Sequence, residues 1–180
     1  MEQYTLSILV ENTAGVLSQV TRLFSRKGYN IESLAVGVTD NPEISRITII
    51  ALGNDLMIRQ LSNQLSKLLP VISVRVLSDQ NSVQRDLVLV KVKTENMAER
   101  AEIIQIVDIF RASILDIGRG SLTVAIVGDS EKSGAMLNLL EEFGILEIAR
   151  TGMVALERGS GTIYDSNKDK EEFSYGKNVL

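Results

Sequence analysis

Hydrophobic and polar positions alternate from the start of the chain: Tyr4, Leu6, Ile8 and Val10 fall on one face, Thr5 and Ser7 on the other. A period of two predicts a half-buried strand over 4–10. The period then changes, and Val16, Leu17, Val20, Leu23 and Phe24 recur at helical spacing over 15–27. Asn12 and Thr13 are helix N-cap types, Gly15 leaves the first turn without side-chain bulk, and Gly28 suits a left-handed stop. Residues 31–39 and 44–52 read as two further strands, parted by the turn cluster Thr39-Asp40-Asn41-Pro42. Asn54-Asp55 opens a second helix with Ile58, Leu61, Leu65 and Leu68 on its inner face. Pro70 ends it, and 71–77 return as a strand.

The order strand, helix, strand, strand, helix, strand is the split βαβ, ferredoxin-like unit, with two helices on one face of an antiparallel sheet. Such a unit leaves its other sheet face and an edge strand exposed, and the edge invites pairing with another copy. Residues 78–85 are polar and without period, and the same order of elements then recurs. It runs as strand 86–93, helix 97–112 with Ile103, Ile106, Val107 and Phe110 inward, and strands 113–118 and 121–128. Helix 130–143 follows, with Leu137, Leu140 and Phe143 inward, and 145–157 form one or two strands. The expected fold class is α+β: two ferredoxin-like βαββαβ domains over 1–78 and 86–158, a linker at 79–85, and a flexible tail over 159–180.

Composition narrows the chemistry. The 180 residues contain no Cys and no His, which removes thiol and imidazole nucleophiles, Ser-His-Asp triads, Cys/His metal sites and a disulfide framework. A net charge of -4 and 4% aromatic residues, with no Trp, argue against nucleic acid and an anionic membrane as partners. No apolar run is long enough to span a bilayer, and Met1-Glu-Gln-Tyr has neither signal-peptide nor transit-peptide character. The expected location is the cytoplasm, or the stroma if the chain is made inside a plastid.

Gly118-Arg119-Gly120-Ser121 lacks the spacing and the lysine of a phosphate loop and reads as a tight hairpin. Glu141-Glu142 and Glu171-Glu172 are sequence neighbours that do not face each other on a helix and read as solvated surface. No metal site and no acid–base pair stands out, so there is no catalytic candidate. What remains is the turn before the first helix and the Gly28-Tyr29-Asn30 corner. A helix start offers N–H donors at Gly15, Val16 and Leu17 to a small carboxylate. An amide oxygen of Asn12 or Asn30 can accept from an ammonium, and Val16, Leu17, Ile31 and Leu34 can line an aliphatic pocket. Asn12 and Asn30 stand at opposite ends of one helix, roughly 20 Å apart at about 1.5 Å per residue. If both grip one amino acid, the site bridges two chains. An ordinary capped helix explains the same residues without any ligand.

Leu6 to Ile49, and within it ENTAGVLS followed by FSRKGYNIESL, resembles the ACT domain, an amino-acid-binding regulatory module. More narrowly, it is similar to the small regulatory subunits of acetohydroxyacid synthase (acetolactate synthase). DIFRASILDI and ARTGMVALERG look like the C-terminal domain of that family. The resemblance implies a homodimer through paired ACT domains, with valine between chains. Asn12, Gly15, Val16 and Leu17 would come from one chain, Asn30 and Ile31 from the other. It implies a partner, the large catalytic subunit, which carries thiamine diphosphate, magnesium and FAD, while this chain holds no cofactor and no metal of its own. It further implies activation of that subunit and feedback inhibition by valine in branched-chain amino acid synthesis. Three other readings stand beside it. One is an ACT sensor for another amino acid. A ferredoxin-like acylphosphatase would need an arginine in the 11–16 loop, and an RNA-binding module would need exposed aromatics and a basic face.

Overall fold

The computed structural model describes residues 2–165 and divides the chain into two compact units. One is Met1–Val83 together with the chain from Ala155; the other is Gln84–Val154. The first contains β1 (Glu2–Glu11), α1 (Val16–Lys27), β2 (Ile31–Val38), β3 (Ile44–Gly53), α2 (Asp55–Leu65) and β4 (Val71–Leu77). Its antiparallel sheet has the order β2-β3-β1-β4, which places β1 centrally and β2 and β4 at the edges. The next elements are β5 (Ser82–Lys93), α3 (Met97–Ile109), β6 (Ser113–Ile117), β7 (Ser121–Gly128), α4 (Ser130–Glu141), β8 (Ile145–Arg150) and β9 (Val154–Glu157). Their sheet order β6-β7-β5-β8 repeats the first order strand for strand, with β9 pairing with β5 off that path. The chain is therefore α+β with two ferredoxin-like βαββαβ units, as the periodicity predicts.

Each unit has its own core between its helices and one sheet face. In the first, Leu6, Ile8 and Val10 of β1 and Ile47 and Ile49 of β3 meet Val16, Val20 and Phe24 of α1 and Ile58, Leu61 and Leu65 of α2. In the second, Val88, Val90 and Val92 meet Ile103, Val107, Met136 and Leu140. Ile106, Phe110 and Phe143 pack on it from positions that are only partly buried.

Several boundaries move. The polar linker expected at 79–85 turns only through 81 and enters β5 at Ser82. α3 stops at Ile109 instead of 112, because Arg111 adopts φ 52° and breaks the helical run ahead of β6.

The larger correction concerns the first sheet. Its second face, expected to be open, is closed: Thr5, Ser7, Leu9, Thr48 and Arg75 are all buried. The reason lies in residues 155–165, of which 155–158 belong to the expected second domain and 159–165 to the expected flexible tail. This segment returns to the first unit, where Ser73 Oγ donates to the Ile163 carbonyl at 3.0 Å and Arg75 pairs with Glu157 at 3.1 Å. Ile163 is itself buried. The remainder of the expected tail, 166–180, lies outside the described residues.

Three helix starts are capped by side chains. Asn54 accepts from the Met57 N–H, Asn96 from Glu99 and Asp129 from Lys132, each at 2.9 Å. Truncating such a cap typically costs about 1 kcal/mol, so Asp129→Ala is expected to lower the unfolding free energy by that amount. Phe24 is 1% exposed, and Phe24→Ala is expected to cost about 3–5 kcal/mol. Urea titrations followed by far-UV circular dichroism measure both; a loss below about 1 kcal/mol for Phe24→Ala would remove that ring from the core.

Candidate functional site

The start of α1 departs from the other three. Its N-cap is Gly15 in the left-handed region, φ 86°, and no side chain caps it. Asn12 and Thr13, the expected caps, do not serve. The Asn12 amide nitrogen instead donates to the Pro42 carbonyl at 2.9 Å, and its backbone N–H donates to the Glu43 carbonyl at 2.7 Å. Both bonds fasten the loop before α1 to the β2–β3 turn. With the chain so held, residue 15 must take a positive φ that only glycine adopts at little cost. No side chain takes the first-turn donors, and the Val16 N–H makes only a long bond, 3.4 Å, to the Thr13 carbonyl.

The approach to that turn is open. A Cβ built on Gly15 would meet nothing within 4 Å. Val16, 5% exposed, roots the helix in the core, while Leu17, 40% exposed, stands at the surface. Two more aliphatic side chains lie on the helix side of the neighbouring sheet edge. Val36 pairs with Ile47, and Val38 pairs with Ser45, which in turn pairs with Val10 at the end of β1. They are 49% and 59% exposed, because the edge strand runs past the helices that cover the core.

Asn30 and Ile31 stand elsewhere. α1 is 12 residues long, about 18 Å at about 1.5 Å per residue, and both follow its far end. The Asn30 amide donates to the Glu32 carboxylate, and Ile31 pairs with Ala51 and packs against the first core. Within one chain, Asn12, Gly15, Val16 and Leu17 form one group and Asn30 with Ile31 another.

Other candidates resolve as structure. Gly118 closes a tight hairpin by donating its N–H to the Ser121 carbonyl, and Glu141 and Glu142 are exposed. The displaced titrations belong to hydrogen-bonded pairs away from α1. The Tyr4 phenol is pushed well above its ordinary range, first by its bond to Asp55, then by burial and its bond to Glu2. Lys93 and Glu95 bond each other, which raises the amine and lowers the carboxyl. Among the described residues no group of three or more acidic side chains is placed to hold a metal, and no helix is long and apolar enough to cross a membrane.

Sequence reasoning missed one polar cluster, formed by Ser7, Arg46, Arg75 and Glu157. Its signal was faint: one arginine inside each of two apolar strands, ISRITII and VISVRVL.

Two family models match the chain. Residues 6–73 match the AHAS small subunit-like ACT domain, and residues 85–159 match the small subunit of acetolactate synthase. A probable acetolactate synthase small subunit of Methanothermobacter thermautotrophicus is 48% identical over 162 residues, 90% of this chain and 96% of that one. The acetolactate synthase small subunit of Mycobacterium bovis is 47% identical over 156 residues, 87% and 92% of the two chains. In three dimensions the crystal structure of the small subunit from Thermotoga maritima superposes with a TM-score of 0.83. It is 37% identical, and the match covers 89% of this chain and all of that one. Likeness at this level extends through both units and their order in the chain, and so the protein belongs to the acetolactate synthase small-subunit family.

Proposed function

We propose that this chain is the regulatory partner of a large catalytic acetolactate synthase subunit, that it raises that subunit's activity, and that it makes the enzyme sensitive to valine. Family membership supports a regulatory role. The observation that carries the valine reading is the uncapped start of α1 beside an exposed aliphatic edge.

In this reading two copies pair antiparallel through β2 and form one continuous sheet. Antiparallel pairing sets the beginning of β2 in one copy against its end in the other. Asn30 and Ile31 of the second copy thereby come to the Val38 end of the first, where the Asn12–Leu17 turn stands. The two groups that one chain keeps apart become neighbours across the seam.

The valine carboxylate takes the N–H groups of Gly15, Val16 and Leu17, where the helix dipole favours an anion. The Asn12 carboxamide oxygen accepts from the ammonium, since its nitrogen is already engaged with Pro42. Leu17 of one copy and Ile31 of the other hold the isopropyl group. Regulation then follows from differential affinity: valine binds one arrangement of the dimer better than another and shifts the pair toward it. A coupling of about 1–3 kcal/mol is the usual scale. Thiamine diphosphate, magnesium and FAD belong in this reading to the catalytic subunit, so this chain supplies binding energy and no reacting group.

The test is a valine titration of the reconstituted complex carrying Gly15→Asp or Gly15→Asn. The two side chains have the same shape and a similar tolerance of positive φ, so they differ chiefly in charge. Gly15→Asp sets a carboxylate against the ligand's own. The half-inhibitory valine concentration is expected to rise tenfold or more, about 1.4 kcal/mol, with Gly15→Asn affected less and stimulation by the subunit retained in both. Inhibition unchanged in Gly15→Asp sinks the site, and tighter binding of an unrelated amino acid by calorimetry sinks the choice of valine.

A further inference from the structure

The first sheet's second face carries a polar row that the proposed valine site does not use. Ser7 on β1 stands opposite Thr48 on β3 and Arg75 on β4. One row along, Leu9 stands opposite Arg46 on β3 and Ser73 on β4. Arg46 and Arg75 thus flank the central strand from both sides, across about 10 Å of sheet. That gap is short enough for two extended guanidinium side chains to reach a common point.

Residues 155–165 roof this row and leave a cavity of about 290 Å³. The floor is Ser7, the sides are Arg46 and Arg75, and the roof includes Glu157, Thr162 and Tyr164. The cavity lies wholly within the first unit and is close to the lower end of the volumes that hold small ligands. Arg75 is 4% exposed and bonds the Glu157 carboxylate and the Asp165 carbonyl, whereas Arg46 is half-buried and donates to the Ala155 carbonyl at 3.4 Å. Two guanidinium groups face the Glu157 carboxylate, and the Asp165 carboxylate stands behind the roof, accepting from the Thr162 N–H and hydroxyl.

The floor holds the second signal. Ser7 is 1% exposed, and its hydroxyl has no hydrogen-bond partner among the described residues. A buried hydroxyl left unpaired costs free energy, and natural chains rarely keep one without a use. A donor at the bottom of a cleft flanked by two arginines is suited to an oxyanion, and guanidinium forks are the side chains that bind carboxylate and phosphate by paired bonds. Space at Gly161 keeps the roof close: a Cβ there would lie 3.1 Å from the Glu157 carboxylate.

We propose that the cleft between this sheet face and residues 155–165 binds a small anionic metabolite, its phosphate or carboxylate group held by Arg46 and Arg75 with the Ser7 hydroxyl donating from below. The site stands apart from the start of α1 and does not depend on the valine reading.

The full chain, labelled with 15N, is titrated separately with inorganic phosphate and with succinate, against potassium chloride at equal ionic strength, and followed by amide shifts and thermal midpoint. Expected are saturable shifts at Ser7, Arg75 and Thr162 and a rising midpoint with at least one of the two anions; the tighter one names the head group. Ser7→Ala loses one charge-assisted bond and is expected to weaken binding about tenfold, while its midpoint without anion stays level or rises. Arg46→Gln, at a half-buried position that does not threaten the fold, is expected to weaken binding at least as much. The proposal is overturned if neither anion saturates, if potassium chloride reproduces the changes, or if Ser7→Ala and Arg46→Gln bind as the natural chain does.

Discussion

The first unit depends on burying its central strand from both sides. β1 places Leu6, Ile8 and Val10 against the helices, and that face contributes the apolar area that drives folding. Its other face, Thr5, Ser7 and Leu9, is equally inaccessible. A face made partly of hydroxyl and guanidinium groups cannot be closed by apolar packing alone, since each buried polar atom must be answered. The answering groups come from backbone as much as from side chains: the carbonyls of Ala155 and Ile163, and the carboxylate of Glu157. One sheet therefore has a hydrophobic side that fixes the fold and a polar side that uses a segment some eighty residues further along the chain.

Burial of this kind also places the turn at α1. Val16, Val20 and Phe24 anchor one stripe of the helix in the core, so the helix cannot slide or roll without opening a cavity. The turn that precedes it is held from outside by the two bonds from Asn12 to the β2–β3 turn. Between these two restraints lies Gly15, in a conformation that leaves the first-turn donors turned away from any capping side chain. A rigid seat with unfilled donors is what a small anion needs, because binding then spends little free energy on ordering the protein.

Most of this architecture is legible in the chain. The α1 and β4 periods give Val16–Lys27 and Val71–Leu77 almost to the residue, since each is bounded by Gly or Pro and carries a consistent apolar face. The Asn54 cap is equally plain. Failures fall where contacts span long distances in sequence. The strand-like alternation of β1 predicts one buried face, and nothing local in Thr5 or Ser7 discloses that Ile163 and Glu157 return to cover the other. Arg46 and Arg75 look like solvated strand residues for the same reason. Asn12 misleads in a different way: a good cap type lies three residues ahead of Gly15, but the β2–β3 turn competes for its amide and wins.

The duplication sharpens the meaning of the α1 start. Both units run strand, helix, strand, strand, helix, strand, with the same sheet order, so α1 and α3 occupy equivalent places. Their N-termini are nonetheless chemically opposite. At α3 the Asn96 side chain accepts from the Glu99 N–H, and the Glu99 carboxylate accepts from the Glu95 N–H at 2.7 Å, a reciprocal cap that consumes donors and adds a negative charge. α1 has no acidic residue in its first turn and no side-chain cap. A carboxylate would be repelled at α3, whereas at α1 no side chain competes for the first-turn donors. Two copies of one topology thus divide the work: the second closes its helix in favour of stability, and the first leaves the same position chemically open.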